Sequence, residues 1–157
     1  NMIEEKNNLL TIQITKDKLL DYIPDNIKIK KWATVAFETK RDSLVIIKIA
    51  HKDEIMKLNK FFFKKNKPTN VLSFPNNSIV KTGEFILGDI IICPEIINNE
   101  SKTYNIDRQN RWAHMIIHSM LHLQGYTHDL DKHQVIMENR EKKLMNLLGY
   151  SDPYYAN

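Results

Sequence analysis

The spacing of apolar residues divides the chain into two kinds of segment: strands, where apolar and polar positions alternate or run together, and helices, where apolar residues recur every three or four positions. Leu9 to Thr15 alternates as a half-buried strand does. Pro24 and Asp25 open a helix that Ile27, Ile29, Trp32, Val35 and Ala36 carry to about Thr39. Ser43 to Ala50 is rich in β-branched residues, which predicts a well-buried strand. Ile55, Leu58, Asn59 and Phe62 mark a short helix from Lys52 to Phe62, stopped by Asn66 and Pro68 because proline disfavours helical geometry in the residue before it. Val71 to Phe74 and Phe85 to Cys93 predict two more strands, joined as a hairpin through the turn-rich Pro75 to Gly83. Pro94 starts a short helix, Asp107 caps a long one reaching about Gln124, and Asp131 opens a last one ending near Gly149.

These elements predict an α+β fold, a mixed sheet of about four strands packed by helices, as a single domain over residues 1–157. No repeat or Pro/Gly/Ser-rich linker interrupts them, and the length suits one hydrophobic core. With 42% hydrophobic and 27% charged residues, neither disorder nor a fibrous architecture is expected. The longest apolar run, Leu44 to Ala50 interrupted by Lys48, falls far short of the roughly 20 residues that cross a bilayer. Asn1 to Glu5 lacks the basic segment and hydrophobic stretch of a secretory signal, so the expected location is the cytoplasm, with no membrane partner. A single cysteine, Cys93, excludes an internal disulfide or a multi-cysteine metal cage and reads as a small buried residue at a strand end. A net charge of +4 and a pI near 9.0 favour an anionic partner without naming it.

The histidines change the picture. Five of the six lie between 114 and 133, and three form HxxxHxxGxxH: His118, His122, Gly125 and His128. Residues four apart on a helix sit about 6 Å apart on one face, so His118 and His122 can converge on one ion. Gly125 follows the helix end and can take the left-handed conformation that turns the chain and returns His128 to the same place. Three neutral imidazoles with an open fourth position describe a catalytic rather than a structural zinc site, in which the zinc-bound water is the nucleophile. His114 lies about two turns from His122, too far to share the ion, and is expected behind the ligands or in the core, while His51 and His133 are expected at the surface. The spacing also equals that of metzincin proteases, HExxHxxGxxH, but Ser119 stands where their glutamate base would be, so proteolysis is the weaker reading.

In detail, His118 to His128 (HSMLHLQGYTH) is similar to the signature HGxLHLxGYDH of the YbeY family of bacterial rRNA maturation factors. Leu58 with Asn59, Pro68 to Pro75 (PTNVLSFP), Gly88 to Ile90 (GDI), His114, Met137 with Glu141, and Gly149 to Tyr154 (GYSDPY) also resemble that family, over roughly residues 44 to 155. The resemblance implies an α+β fold, one Zn²⁺ per chain on the three histidines, and a single-strand-specific endoribonuclease. It further implies a role in maturing the 3′ end of small-subunit rRNA and in ribosome quality control. The expected partners are therefore single-stranded RNA, rRNA and the small ribosomal subunit, with no DNA.

Three positions depart from the family pattern: Phe63 replaces an arginine, Ser119 a glycine and Thr127 an aspartate. Lys64 or Lys65 is expected to supply a phosphate contact in place of that arginine, though without its bidentate fork. Phe61 to Lys67 (FFFKKNK) interleaves aromatic and basic residues, so Phe62, Lys64 and Lys65 are expected to bind RNA; the competing reading buries the rings and leaves the lysines in water. The changes at Ser119 and Thr127 are expected to concern packing or hydrogen bonds around the ligands. Met137 is expected in the core and Glu141, one turn on, at the surface or behind the metal, and Asp129, like His114, is expected behind the metal. The alternative to a nuclease is a ribosome assembly factor with a structural zinc, whose fourth ligand would come from Cys93, Asp89 or Asp129.

Overall fold

A computed structural model describes residues 9–18 and 21–154. Asn1 to Glu5 lie outside the described residues. The elements run β1 (Leu10–Lys16), α1 (Asn26–Val35), β2 (Ser43–Ile49), α2 (Lys52–Phe63), β3 (Val71–Ile79), β4 (Phe85–Ile92), α3 (Pro94–Thr103), α4 (Arg108–Leu123) and α5 (Asp131–Leu147). The four strands form one mixed sheet in the order β1-β2-β4-β3. β1 pairs with β2 and β2 with β4 in parallel, whereas β3 runs antiparallel to β4 as the hairpin that the sequence predicts. The α+β architecture and its mixed four-stranded sheet agree with the expectation. No helix among the described residues is long and apolar enough to cross a membrane.

Helix starts follow their caps. The Asp25 side chain accepts from Lys28 N at 2.8 Å and that of Asp107 from Asn110 N at 3.1 Å, satisfying amides that a helix leaves without partners. Two boundaries differ from the expectation. α1 stops at Val35 rather than near Thr39, because Gln124, at the end of α4, accepts from the amides of Glu38 and Thr39 and donates to Ala36 O and Met120 O. β3 continues through Pro75 to Ile79, across a register shift between Pro75 and Ser78, where the sequence suggested a turn. Proline is tolerated there because β3 lies at the sheet edge, where its missing N–H breaks no ladder.

The core lies between one sheet face and the helices. Val45, Ile47 and Ile49 of β2 and Ile90 and Ile92 of β4 meet Trp112, Ile116, Met120 and Leu123 of α4, with Ile29, Trp32 and Ala33 of α1 closing one side. Eleven of the sixteen residues of α4 are buried, so it is a central helix rather than an amphipathic cover. On the opposite face α2 covers only the β3–β4 end, through Ile55 with Leu72 and Cys93, which places Cys93 in an apolar cluster as expected.

Gly88 marks the close approach of α4 to the sheet. A Cβ at this position would lie 2.5 Å from Phe74 O and 2.7 Å from Leu123 Cδ2. Leu123 follows His122, so a displacement here reaches the candidate site. Gly88→Ala should cost about 1–3 kcal/mol of stability by overpacking, read as a lower urea midpoint with an unchanged slope.

Candidate metal centre

His118 and His122 sit one turn apart at the C-terminal end of α4. The helix then closes with Tyr126 N bonding back to Leu121 O at 3.1 Å and Gly125 at φ 98°, the left-handed turn that glycine permits. This turn returns His128 to the pair, with its ring 5.0 Å from that of His122 and 6.0 Å from that of His118, centroid to centroid. One ring nitrogen from each of the three lies within 4.8 Å of the others, a group able to hold a metal ion. Cys93, Asp89 and Asp129 belong to no such group among the described residues.

Hydrogen bonds fix which nitrogen of each ring is free. His122 Nδ1 is 2.9 Å from Tyr126 O, a pure acceptor, so Nδ1 carries the proton and Nε2 keeps its lone pair. His118 Nδ1 is 3.0 Å from a carboxylate oxygen of Glu141, which leaves its Nε2 free in the same way. The two Nε2 atoms then face each other at 3.1 Å. Two lone pairs at that distance repel unless a cation lies between them, and a tetrahedral ion with bonds of about 2.05 Å would separate its ligands by about 3.3 Å. The donor set fits a metal.

Glu141 is the group behind this arrangement. Its side chain has no exposure to solvent, yet it is surrounded by donors: His114 Nε2 at 2.6 Å and His118 Nδ1 at 3.0 Å on one oxygen, Tyr154 OH at 2.8 Å on the other. His114 in turn has Arg111 Nη1 3.4 Å from its Nδ1, and since guanidinium only donates, the His114 proton sits on Nε2, facing Glu141. Arg111 is held by Glu100 through Nη2 at 2.9 Å and Nε at 3.2 Å, and Glu100 accepts from Asn70 at the start of the hairpin. A chain of oriented hydrogen bonds thus runs from Asn70 to His118.

Burial alone would raise the Glu141 carboxyl, but the bonds from His114 and His118 outweigh it and hold the group at about 2. Burial, and then the neighbouring His118, push His122 down to about 4, and burial lowers His114 against the pull of Glu141. Burial and the Glu141 charge push the Tyr154 phenol up, so it stays a donor. Leaving a buried acceptor without a donor costs about 1–3 kcal/mol, and more when it is charged, so these contacts also support the fold.

The remaining predicted residues fall elsewhere. The Asp129 carboxylate makes no hydrogen bond to His118, His122 or His128; it lies 2.8 Å from His133 Nδ1 and accepts from Thr127 at 2.7 Å, and these bonds hold it at about 2. The expected place behind the metal is therefore not where Asp129 stands, because the chain after His128 turns its side chain out into solvent. Ser119 is buried and its hydroxyl has no hydrogen-bond partner, so it makes no hydrogen bond to the ligand histidines. Lys64 caps α2 in the left-handed conformation at φ 59°, and Phe61, Phe62 and Phe63 all point outward, so the reading that buries the rings fails. Sequence reasoning left Glu141 open between surface and site and missed Tyr154 and Arg111. One signal was available: Glu141 lies on the apolar stripe of Met137, Leu144 and Met145, where an unpaired carboxylate is not tolerated.

These shifts set the acid response of the metal-free protein. A histidine at about 4 when folded and 6.5 when unfolded takes up its proton more readily unfolded, so stability falls as pH drops from 6.5 toward 4. Glu141, at about 2 folded against 4.5 unfolded, removes further stability between pH 4.5 and 2. Urea midpoints measured across this range should decline in both windows, and His122→Ala should flatten the first.

Comparison with known proteins identifies the family. The family model described as Endoribonuclease YbeY matches residues 4–149. Endoribonuclease YbeY of Buchnera aphidicola from Acyrthosiphon pisum is 43% identical over 133 residues, covering 84% of this chain and 86% of its own. That of Wigglesworthia glossinidia brevipalpis is 40% identical over 155 residues, covering 95% and 99%. The solution structure of TM1509 from Thermotoga maritima superposes with a TM-score of 0.54 over 93% of this chain and all of its own, at 22% identity, which speaks for the fold. A match over nearly the whole length and relatives at such identities show that this chain belongs to the endoribonuclease YbeY family.

Proposed function

We propose that this protein is a zinc-dependent endoribonuclease that cleaves single-stranded RNA in the cytoplasm, acting on the small ribosomal subunit in maturation of the 3′ end of its rRNA and in ribosome quality control. The observation that carries this reading is the facing pair of free Nε2 atoms on His118 and His122, each set by a partner on its Nδ1, with His128 beside them. Family membership supplies RNA as the substrate class.

Three imidazoles suit zinc well, and their side chains supply no fourth ligand, which leaves a position for water or substrate. When bound, zinc supplies a Lewis acid for the phosphate and an acidified water for attack at neutral pH. The chain supplies the rest. Tyr126 O and Glu141 keep His122 and His118 in the metal-binding tautomer, and Tyr154 with His114 keeps Glu141 aimed. Lys64 and Lys65 follow α2 as phosphate contacts, with Phe62 beside them as an RNA contact. Peptide hydrolysis is disfavoured, because Ser119 holds the place of a glutamate base and Glu141 is committed to three donors.

Zinc-loaded protein should cut a single-stranded RNA and leave a duplex of the same sequence intact, on a denaturing gel, and His122→Ala should abolish both cutting and stoichiometric zinc. Failure to cut, with zinc bound and the fold intact, would turn the assignment toward a ribosome assembly factor. Glu141→Gln places an amide donor against at least one N–H or O–H that now points at a carboxylate oxygen. Zinc affinity, measured by chelator competition, should drop about 10- to 100-fold. Unchanged affinity would mean that Glu141 does not orient His118.

A further inference from the structure

The three histidines of the metal centre are not equally supported. His118 and His122 stand on α4 and each has a partner on Nδ1, whereas His128 comes from the turn and its ring has no hydrogen-bond partner among the described residues. The turn itself has few anchors. Gly125, Thr127, His128, Asp129 and Leu130 are all exposed, and Tyr126 alone packs inward, against the core. The contacts of Asp129 with Thr127 and His133 are exposed, so water competes for them.

Tyr126 acts in two directions. Its carbonyl lies 2.9 Å from His122 Nδ1, and His128 follows two residues later. Its hydroxyl donates to Glu38, 88 residues away in the sequence, at 2.8 Å on Oε1 and 3.2 Å on Oε2. Glu38 is fixed in turn by Arg140 of α5, whose Nε donates to its Oε2 at 2.6 Å. The Glu38 and Arg140 side chains are 29% and 30% exposed, and an ion pair so open to water adds little to global stability.

The joint does not need the Glu38 carboxylate in order to form. Gln124 already ties the end of α4 to the loop after α1, accepting from Glu38 N at 2.6 Å and Thr39 N at 3.1 Å and donating to Ala36 O at 2.8 Å. Those bonds use the backbone of Glu38. What its side chain adds is a hold on Tyr126.

We propose that Glu38, held by Arg140, is a positioning residue for the metal centre: through the Tyr126 hydroxyl it fixes the carbonyl that orients His122 and the turn that delivers His128, and so sets how tightly the metal is held. This rests on the three histidines being the metal ligands, and it adds that their geometry is set from the loop after α1 and from α5. A ligand that is already in place loses no freedom when the ion arrives, whereas a loose His128 would have to be ordered at that moment. Loss of a group that orients a metal ligand typically weakens metal binding about 10- to 100-fold.

The test is zinc affinity of the whole chain by chelator competition, with circular dichroism as the check on folding. Glu38→Ala should weaken zinc binding about tenfold. Tyr126→Phe, which deletes one hydroxyl, should do the same, and the double variant should be no weaker than either single one, because both remove one contact. Glu38→Gln keeps an oxygen that can accept from Tyr126 and should bind zinc more tightly than Glu38→Ala. Cobalt in place of zinc reports coordination through its visible absorption, which should lose intensity in Glu38→Ala as His128 leaves the ion. Should Glu38→Ala fail to fold, Tyr126→Phe carries the test. Wild-type zinc affinity in the folded variants, or losses that add in the double variant, would overturn the proposal and leave the histidine assignment standing. A wild-type chain that takes up no zinc would overturn both.

Discussion

A carboxylate removed from water between two imidazoles and a phenol is the interaction on which the rest of this molecule turns. An isolated charge in the position of Glu141 would be prohibitively costly, and the three donors around it are what make ionisation tolerable there. The donors come from two parts of the chain, His114 and His118 from α4 and Tyr154 from the segment after α5, while Glu141 itself stands on α5. The carboxylate therefore holds three pieces of chain in register and, in the same contact, decides which nitrogen of His118 is free. Stability and metal-binding competence share one set of hydrogen bonds.

That coupling follows from where the histidines lie. α4 is enclosed by the sheet, α1, α3 and α5, and a helix in that position normally carries apolar residues on every side. Placing imidazoles on it gives the site rigidity, because backbone and neighbours cannot shift without disturbing the core. It also requires every ring nitrogen to have a partner. His122 meets the need through Tyr126 O, in the turn that returns His128, and that turn is anchored by Tyr126 OH on Glu38, itself paired with Arg140 of α5. Gln124 ties the same corner to the end of α1. The metal centre is thus embedded in the joint where three helices meet.

The exposed end of α2 is built differently. On α2 the helix packs with one stripe against a sheet face that is only partly covered, and its last turn presents rings and lysines to solvent. The buried Asn59 below fixes the loop that follows without burying its charges. The histidine cluster and the exposed end of α2 are divided between the two faces of the sheet, and edge strand β3 joins them.

Local chemistry was readable in the sequence wherever a few neighbouring residues decide it. The pair His118 and His122, the turn at Gly125, the caps Asp25 and Asp107, and the strand at Ser43 to Ile49 depend on helical periodicity, backbone freedom and hydrogen bonds within four residues. The pairing order of the strands, the extension of β3 past Pro75 and the early stop of α1 depend on partners far along the chain, as with Gln124 reaching Glu38. The same is true of the site. That three histidines can gather round a metal is a matter of spacing, whereas the role of Glu141, the donation by Tyr154, the outward turn of Asp129 and the exposure of three phenylalanines were decided only by tertiary structure. Whether a charge is buried and who pairs with it is settled by residues that approach in space, and periodicity records only the face on which each one stands.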